Sequence, residues 1–260
     1  MTKRILNIIL LLMAVTLVPA QQYTATEGLL HVPSADMDSA GVIRVGAHYM
    51  PKVMMPESMT CDGEKFNSAS YYLSFTPFEW VQVSVTGVLW KLHKDGSSDE
   101  VGYNGKDRHF SARLRPLKEG KYWPSVVVGS DDLWGSGDDG KTGSGYFRNY
   151  YLTATKHFDL GGNLIGTHLG YRKWKRDYNR KWDGLIGGLT FQPAFYRHLR
   201  VIAEWTGNEV NAGADCRIPL PFAGPNTAIL LQAGLLNARD FFGGLSLAID
   251  LSQGDRRLGR

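Results

Sequence analysis

Between Asp107 and Trp134 the sequence reads DRHFSARLRPLKEGKYWPSVVVGSDDLW, and its alternation constrains the chain more than any other feature. Phe110, Ala112 and Leu114 take turns with His109, Ser111, Arg113 and Arg115. Side chains of a strand point to opposite faces with period two, so one face here is apolar and the other cationic. LKEGK then supplies a turn. The chain returns with Val126 and Val128 on one face, Gly129 and Asp131 on the other. Such a hairpin fits a soluble sheet lying over a core, or a membrane barrel with hydrocarbon outside and a polar lumen.

The alternation recurs. Strands are expected near 41–50, 67–76, 79–90, 107–116, 122–132, 145–156, 162–173, 184–193, 198–206, 209–218, 226–236 and 241–251. Most span about ten residues, which suits a tilted transmembrane strand better than the usual five or six of a globular one. Val81, Val83 and Val85 oppose Gln82, Ser84 and Thr86; Val201, Ala203 and Trp205 oppose Arg200, Ile202 and Glu204. The connections sort as well. The first eight alternate long and short, as in outer-membrane barrels, whose long loops lie outside and short turns in the periplasm; the last three break the rule. Aromatics gather near strand ends (Tyr49, Phe78, Trp80, Trp90, Tyr122, Trp123, Trp134, Tyr171, Trp174, Phe195, Tyr196, Phe241 and Phe242), as two interfacial girdles require. The fold expected is all-β: a single transmembrane antiparallel β-barrel of about twelve strands, with its N-terminus in the periplasm.

Lys3 and Arg4, an apolar run from Ile5 to Val18 and then Pro19-Ala20 read as a cleaved signal peptide over residues 1–20. The run is short for the ~20 residues of a spanning helix. Residues 21–40 are expected as a periplasmic N-terminal segment, 41–251 as the barrel and 252–260 as a polar tail. Cys61 and Cys216 are expected unpaired, at opposite ends of the barrel. The formal charge of +4 includes the signal peptide and the tail. With export it gives no support to nucleic acid as a partner.

The polar faces hold the candidate functional residues. Arg44, His48, Tyr72, Arg113, Arg115, Asp131, Tyr151, Arg200, Glu204, Asp215 and Arg217 are all expected to face the lumen. A charge held away from water needs a partner, and small barrels fill their interiors with side chains, so these groups are expected to pair across the lumen and plug it. The functional alternative is a polar path or binding surface for a glycan, with Tyr72, Tyr151 and loop tryptophans stacking on sugars. A lipid-modifying enzyme is a further alternative, drawing on His109, Ser111, His157, His168 or His198, none of which sits in a nucleophile motif. No catalytic residue, cofactor or metal is assigned. Asp131-Asp132 with Asp138-Asp139 lacks calcium-loop spacing and reads as a solvated loop. The basic stretch Arg172 to Lys181 reads as a solvated outer loop, with lipopolysaccharide phosphates as its alternative contact.

Several segments resemble the YjbH-like family of outer-membrane proteins associated with exopolysaccharide production. They are EGLLHVPSADMDSAGVIRVG (27–46), FTPFEWVQVSV (75–85), DRHFSARLRPLKEGKYWPSVVVGSDDLWGSG (107–137), YYLTATKHFD (150–159) and AEWTGNEVNAGADCRI (203–218). The resemblance implies a barrel in the outer membrane of a Gram-negative bacterium, with a role in producing, exporting or displaying a surface glycan. It supplies no catalytic mechanism. The partners expected are outer-membrane lipid and lipopolysaccharide, exopolysaccharide and periplasmic export proteins. A structural or porin-like barrel for passive small-solute passage stands as the alternative.

Overall fold

A computed structural model describes residues 21–94, 99–135, 145–223 and 227–251. The signal peptide read at 1–20, the tail at 252–260 and Asp138-Asp139 lie outside the described residues. Twelve strands form a closed antiparallel barrel. They are β1 (Val42–Met50), β2 (Ser68–Phe78), β3 (Val81–His93), β4 (Val101–Leu117), β5 (Ser125–Gly135), β6 (Asn149–Leu160), β7 (Asn163–Trp174), β8 (Gly184–Gln192), β9 (Leu199–Trp205), β10 (Val210–Pro219), β11 (Ala228–Leu236) and β12 (Asp240–Asp250). Each pairs with its sequence neighbours, and β1 closes on β12 from Val42↔Asp250 to Tyr49↔Gly243. Closure removes the unpaired edges that an open sheet exposes.

The faces fall as the alternation requires. Leu169, Leu185 and Leu189 point outward, 64%, 65% and 58% exposed, while Arg44, Arg113 and Arg200 point inward and are buried. An outer wall this apolar belongs against hydrocarbon, since water-facing patches of that extent are rare. One end of the barrel carries the connections 51–67, 94–100, 136–148 and 175–183; the other carries the turns 79–80, 118–124, 161–162 and 193–198. We refer to these as the loop end and the turn end. Cys61 lies in a loop-end connection and Cys216 in β10; both are free thiols.

Two expectations change in detail. The long connection read at 91–106 is largely strand: β3 and β4 stay paired to His93↔Val101, with a register shift between Trp90 and Leu92. That hairpin arm leaves the wall, so its residues lose the strict alternation. Trp174 and Phe242 are not girdle residues; they turn inward and are buried, and Trp90 packs half-buried against the interior. The side chain of Trp134 lies outside the described residues. Tyr49 with Phe241 at the loop end (6.1 Å) and Phe78 stacked on Trp80 at the turn end (5.6 Å) do sit on the outside.

Candidate functional site

The interior is occupied by the chain's own beginning. Residues 21–35 are all buried. Residues 21–40 were expected in the periplasm; instead this segment rises from the turn end, where the Gly41 amide donates to Thr76 O at 2.8 Å, and folds up inside the barrel. Its only regular pairings among the described residues are isolated bridges, Gln21 with Glu27 and Gly28 with Pro33. A buried backbone with so little sheet of its own needs other partners for its N–H and C=O groups. The wall supplies them.

Glu204 does most. Its carboxylate accepts three successive amides of the plug, Leu30 at 2.9 Å, His31 at 2.9 and 3.1 Å and Val32 at 3.1 Å, and also Asn211 Nδ2 at 2.8 Å. Consecutive amides around an anion form a nest, here with the anion contributed by the wall. Arg172 donates to His31 O at 2.9 Å and lies over the Trp174 ring. Arg113 donates to Glu27 O at 2.7 Å and to Asp36 O, while Gln82 reaches Glu27 Oε1 at 2.6 Å. Gln232 donates to Leu29 O at 2.8 Å. Arg200 divides its donors between Asp215 (2.8 Å), its cross-strand neighbour, and Gly28 O (3.2 Å). Arg44 grips both oxygens of Asp38 at 2.5 Å, a two-bond fork of the kind that carries direction as well as energy. Asp131 accepts Asn149 Nδ2 at 3.2 Å and lies 3.5 Å from Gln22 Nε2 and Thr26 Oγ1.

The lumen-facing candidates therefore converge, but mostly on the plug rather than on one another. Arg200 with Asp215 is the pair that does cross between strands. Arg217 is buried and Arg115 half-buried toward the turn end. The tyrosines lie flat along the wall. Tyr72 faces Gly46 across the β1–β2 register, and a Cβ at that glycine would sit 2.4 Å from the Tyr72 oxygen. Tyr151 covers Gly129 in the same way, also at 2.4 Å, and packs with Ala35, Met37 and Val127. His48 stacks between Tyr72 (5.1 Å) and Phe242 (5.4 Å), with Ser70 Oγ 3.5 Å from its Nδ1. Of the other histidines, His168 sits between Thr155 (2.9 Å) and Thr190 (3.2 Å).

Plug and wall also meet at both ends. At the loop end Met50, Met54, Met55 and Met59 join Phe147, Trp174 and Trp182 in one apolar cluster with Tyr23, Leu29, Leu30 and Val32 of the plug. At the turn end His157 bridges plug and wall: its Nδ1 lies 2.7 Å from Glu119 and its Nε2 3.6 Å from Asp36. Burial pushes the Glu119 carboxyl up, but hydrogen bonds from Lys156 and from the His157 ring and amide outweigh that and hold it below its ordinary range.

Three functional features escaped the sequence reading. The plug itself has neither period. Arg172, read as the start of an outer basic loop, ends a lumen face and is fully buried, although Lys173, Lys175, Arg180 and Lys181 are exposed as expected. Asp132, read as part of a solvated acidic loop, is buried in β5, as is Asp131, which the alternation also places on the lumen face.

The family model described as YjbH, exopolysaccharide biosynthesis protein YbjH, matches residues 20–212. The chain belongs to the YjbH family. The match takes in the plug and the wall strands from β1 into β10, and stops short of Gln232 in β11. No curated protein matches the sequence. Among solved structures, outer membrane phospholipase A from Escherichia coli is similar with a TM-score of 0.38 at 9% identity, over 83% of this chain and 98% of that chain. The calcium-bound outer membrane phospholipase dimer of Salmonella typhi gives a TM-score of 0.35 at 10% identity, over 82% and 90%.

Proposed function

We propose that this YjbH-family barrel sits in the outer membrane of a Gram-negative bacterium, serves the production, export or display of an exopolysaccharide, and rests closed with residues 21–38 as its stopper. Family membership and the apolar wall with aromatic rims support the setting. The observation that carries the rest is the lumen chemistry. Arginines, carboxylates and amides line it, and Arg113, Arg172, Arg200, Glu204 and Gln232 bind backbone carbonyls and amides of the plug, beside side-chain contacts such as Arg44 with Asp38 and Gln82 with Glu27. Sugar hydroxyls present the same donors and acceptors. With the plug displaced, the same side chains are available to a glycan, and Tyr72 and Tyr151 supply flat faces for stacking.

On this reading the barrel performs no chemistry of its own. It works with periplasmic export proteins on the turn side and is surrounded by lipid and lipopolysaccharide. The plug opposes the passive porin alternative, because the buried residues 21–35 occupy the lumen. The Ser70–His48 contact is inside the lumen against the plug, with Ser70 Oγ 3.4 Å from Tyr23 O, and not on the lipid-facing wall where a lipid-modifying enzyme would need it.

The test has two parts. A host lacking the chain is assayed for surface exopolysaccharide, and the purified barrel is reconstituted in planar bilayers with and without residues 21–38. We expect loss of surface glycan in the first and conductance only from the shortened chain in the second. Unchanged glycan in the deletion host refutes the glycan role. An intact chain that conducts like the shortened one refutes the stopper.

A further inference from the structure

In β4 and β5, beside the plug, Asp107, His109 and Asp132 come together inside the wall. One ligating atom from each lies within 4.8 Å of the other two, and all three residues are buried. The backbone places them deliberately. Asp107 and His109 are two apart on β4 and share its inner face. Asp132 arrives through an irregularity in the pairing: the register steps from Phe110↔Trp134 to Ala112↔Ser130, so Asp131, Asp132 and Leu133 face a single Ser111. Asp132 has φ 51°, a left-handed conformation that aspartate tolerates better than most residues. Its amide donates to Ser111 Oγ at 3.2 Å, and its Oδ2 accepts the Phe147 amide at 3.0 Å.

A second observation points to a ligand. Asp132 Oδ1 and His109 Nε2 are buried without a hydrogen-bond partner among the described residues. His109 Nδ1 lies 3.2 Å from Asp107 Oδ2. When that nitrogen donates to the carboxylate, the neutral ring leaves an unprotonated Nε2, which is how metal-binding histidines are commonly held. Arg148 lies alongside, its Nε donating to the Asp132 carbonyl oxygen at 2.8 Å.

We propose that Asp107, His109 and Asp132 hold one divalent first-row transition ion in the barrel wall. Mixed imidazole and carboxylate donors suit zinc or manganese better than calcium, which takes six to eight oxygens. The ion would pin the β5 irregularity and, through Asp132, the Phe147 segment that roofs the plug.

The experiment uses the full chain in detergent, stripped with a chelator and titrated with Zn²⁺ and Mn²⁺ by calorimetry, with Ca²⁺ and Mg²⁺ as comparators. We expect one equivalent of Zn²⁺ or Mn²⁺, bound at least tenfold more weakly by His109→Gln and Asp132→Asn, since even an outer partner of a metal ligand contributes about that much. Cys61→Ser, in the other group of metal-type side chains at the loop end (Cys61, Asp62 and His93), should leave the affinity unchanged. No binding by the wild type, or binding lost in Cys61→Ser and kept in His109→Gln, overturns the proposal. If the site variants fail to fold, Mn²⁺ broadening of amide resonances in the wild type decides. Broadening centred on Phe147 supports the site, and broadening centred on Gly63 overturns it.

Discussion

Glu204→Ala gives the sharpest test of how the plug is held. The carboxylate accepts the amides of Leu30, His31 and Val32, all buried. A buried donor left without an acceptor costs about 1–3 kcal/mol. Water entering the new space relieves part of that, so the lower bound applies. Three amides then weaken docking by about 3 kcal/mol, or roughly 100-fold at about 1.4 kcal/mol per decade. Hydrogen exchange on the folded barrel reads this directly. The amides of 30–32 should exchange about 100-fold faster in Glu204→Ala, while wall amides in β7 keep their protection. Glu204→Gln keeps one acceptor oxygen and should fall between, near tenfold. Bilayer recordings should show openings rising in the same order. Unchanged protection at 30–32 in a folded Glu204→Ala barrel refutes the argument, because the nest would then be held by something other than its anion.

Arg44→Met should destabilise the turn end by about 3–5 kcal/mol, since it leaves Asp38 buried and unpaired; Arg44→Met with Asp38→Leu should recover most of that, measured as the denaturant midpoint of the purified barrel followed by its mobility on unheated gels. Gly46→Val should drive Tyr72 off the wall, because even a Cβ there meets its oxygen at 2.4 Å; we expect a loss of about 1–3 kcal/mol and disturbed His48 and Phe242 resonances, and a variant as stable as wild type would show that the ring has another place to lie. Acid should loosen the turn-end bridge. The folded-state pKa of Glu119 is lowered, so its contribution is complete above the unfolded value of about 4.3 and disappears as pH falls through the folded one. The His157 amide, which donates to Glu119 at 2.8 Å, should lose protection over that range after correction for intrinsic exchange, and constant protection would rule the bridge out.

The wall was legible because its signal is local and repeated. Val81 to Thr86 shows its two faces within six residues, and twelve such segments with sorted connections leave few alternatives to a barrel. Strand ends were less so. Tyr122, Trp123 and Pro124 read as the start of a strand, but Gly120 N bonds to Trp123 O at 3.1 Å and keeps them in the turn, and a proline amide cannot join a ladder. The lumen residues were legible as a face but not as a site. Their spacing shows which way Arg113 and Glu204 point. It does not show that they meet Glu27, Leu30 and Val32, which lie 86, 174 and 172 positions away. The plug was hidden for a related reason: GLLHVP has no partner strand, so no period. One clue was present. Leu29, Leu30 and Val32 form a small apolar knot ahead of a barrel whose inner face is charged with both signs, and that knot needed somewhere dry to go.

The stopper is covalently continuous with the wall at a single place, where the chain passes through Gly41 into β1. Gly41 donates to Thr76 O in the β2 strand, and its own carbonyl accepts the Leu251 amide just beyond β12. Drawn out straight, residues 21–40 form a leash about 70 Å long, hanging from the turn-end rim into the compartment on that side. Drawing it toward that side empties the bore. Tension along such a leash arrives at Gly41, the residue before β1, whose pairing with β12 closes the cylinder. The same pull that clears the bore therefore loads the seam, and the strength of the β1–β12 contact sets how hard the leash can be drawn before the ring itself gives.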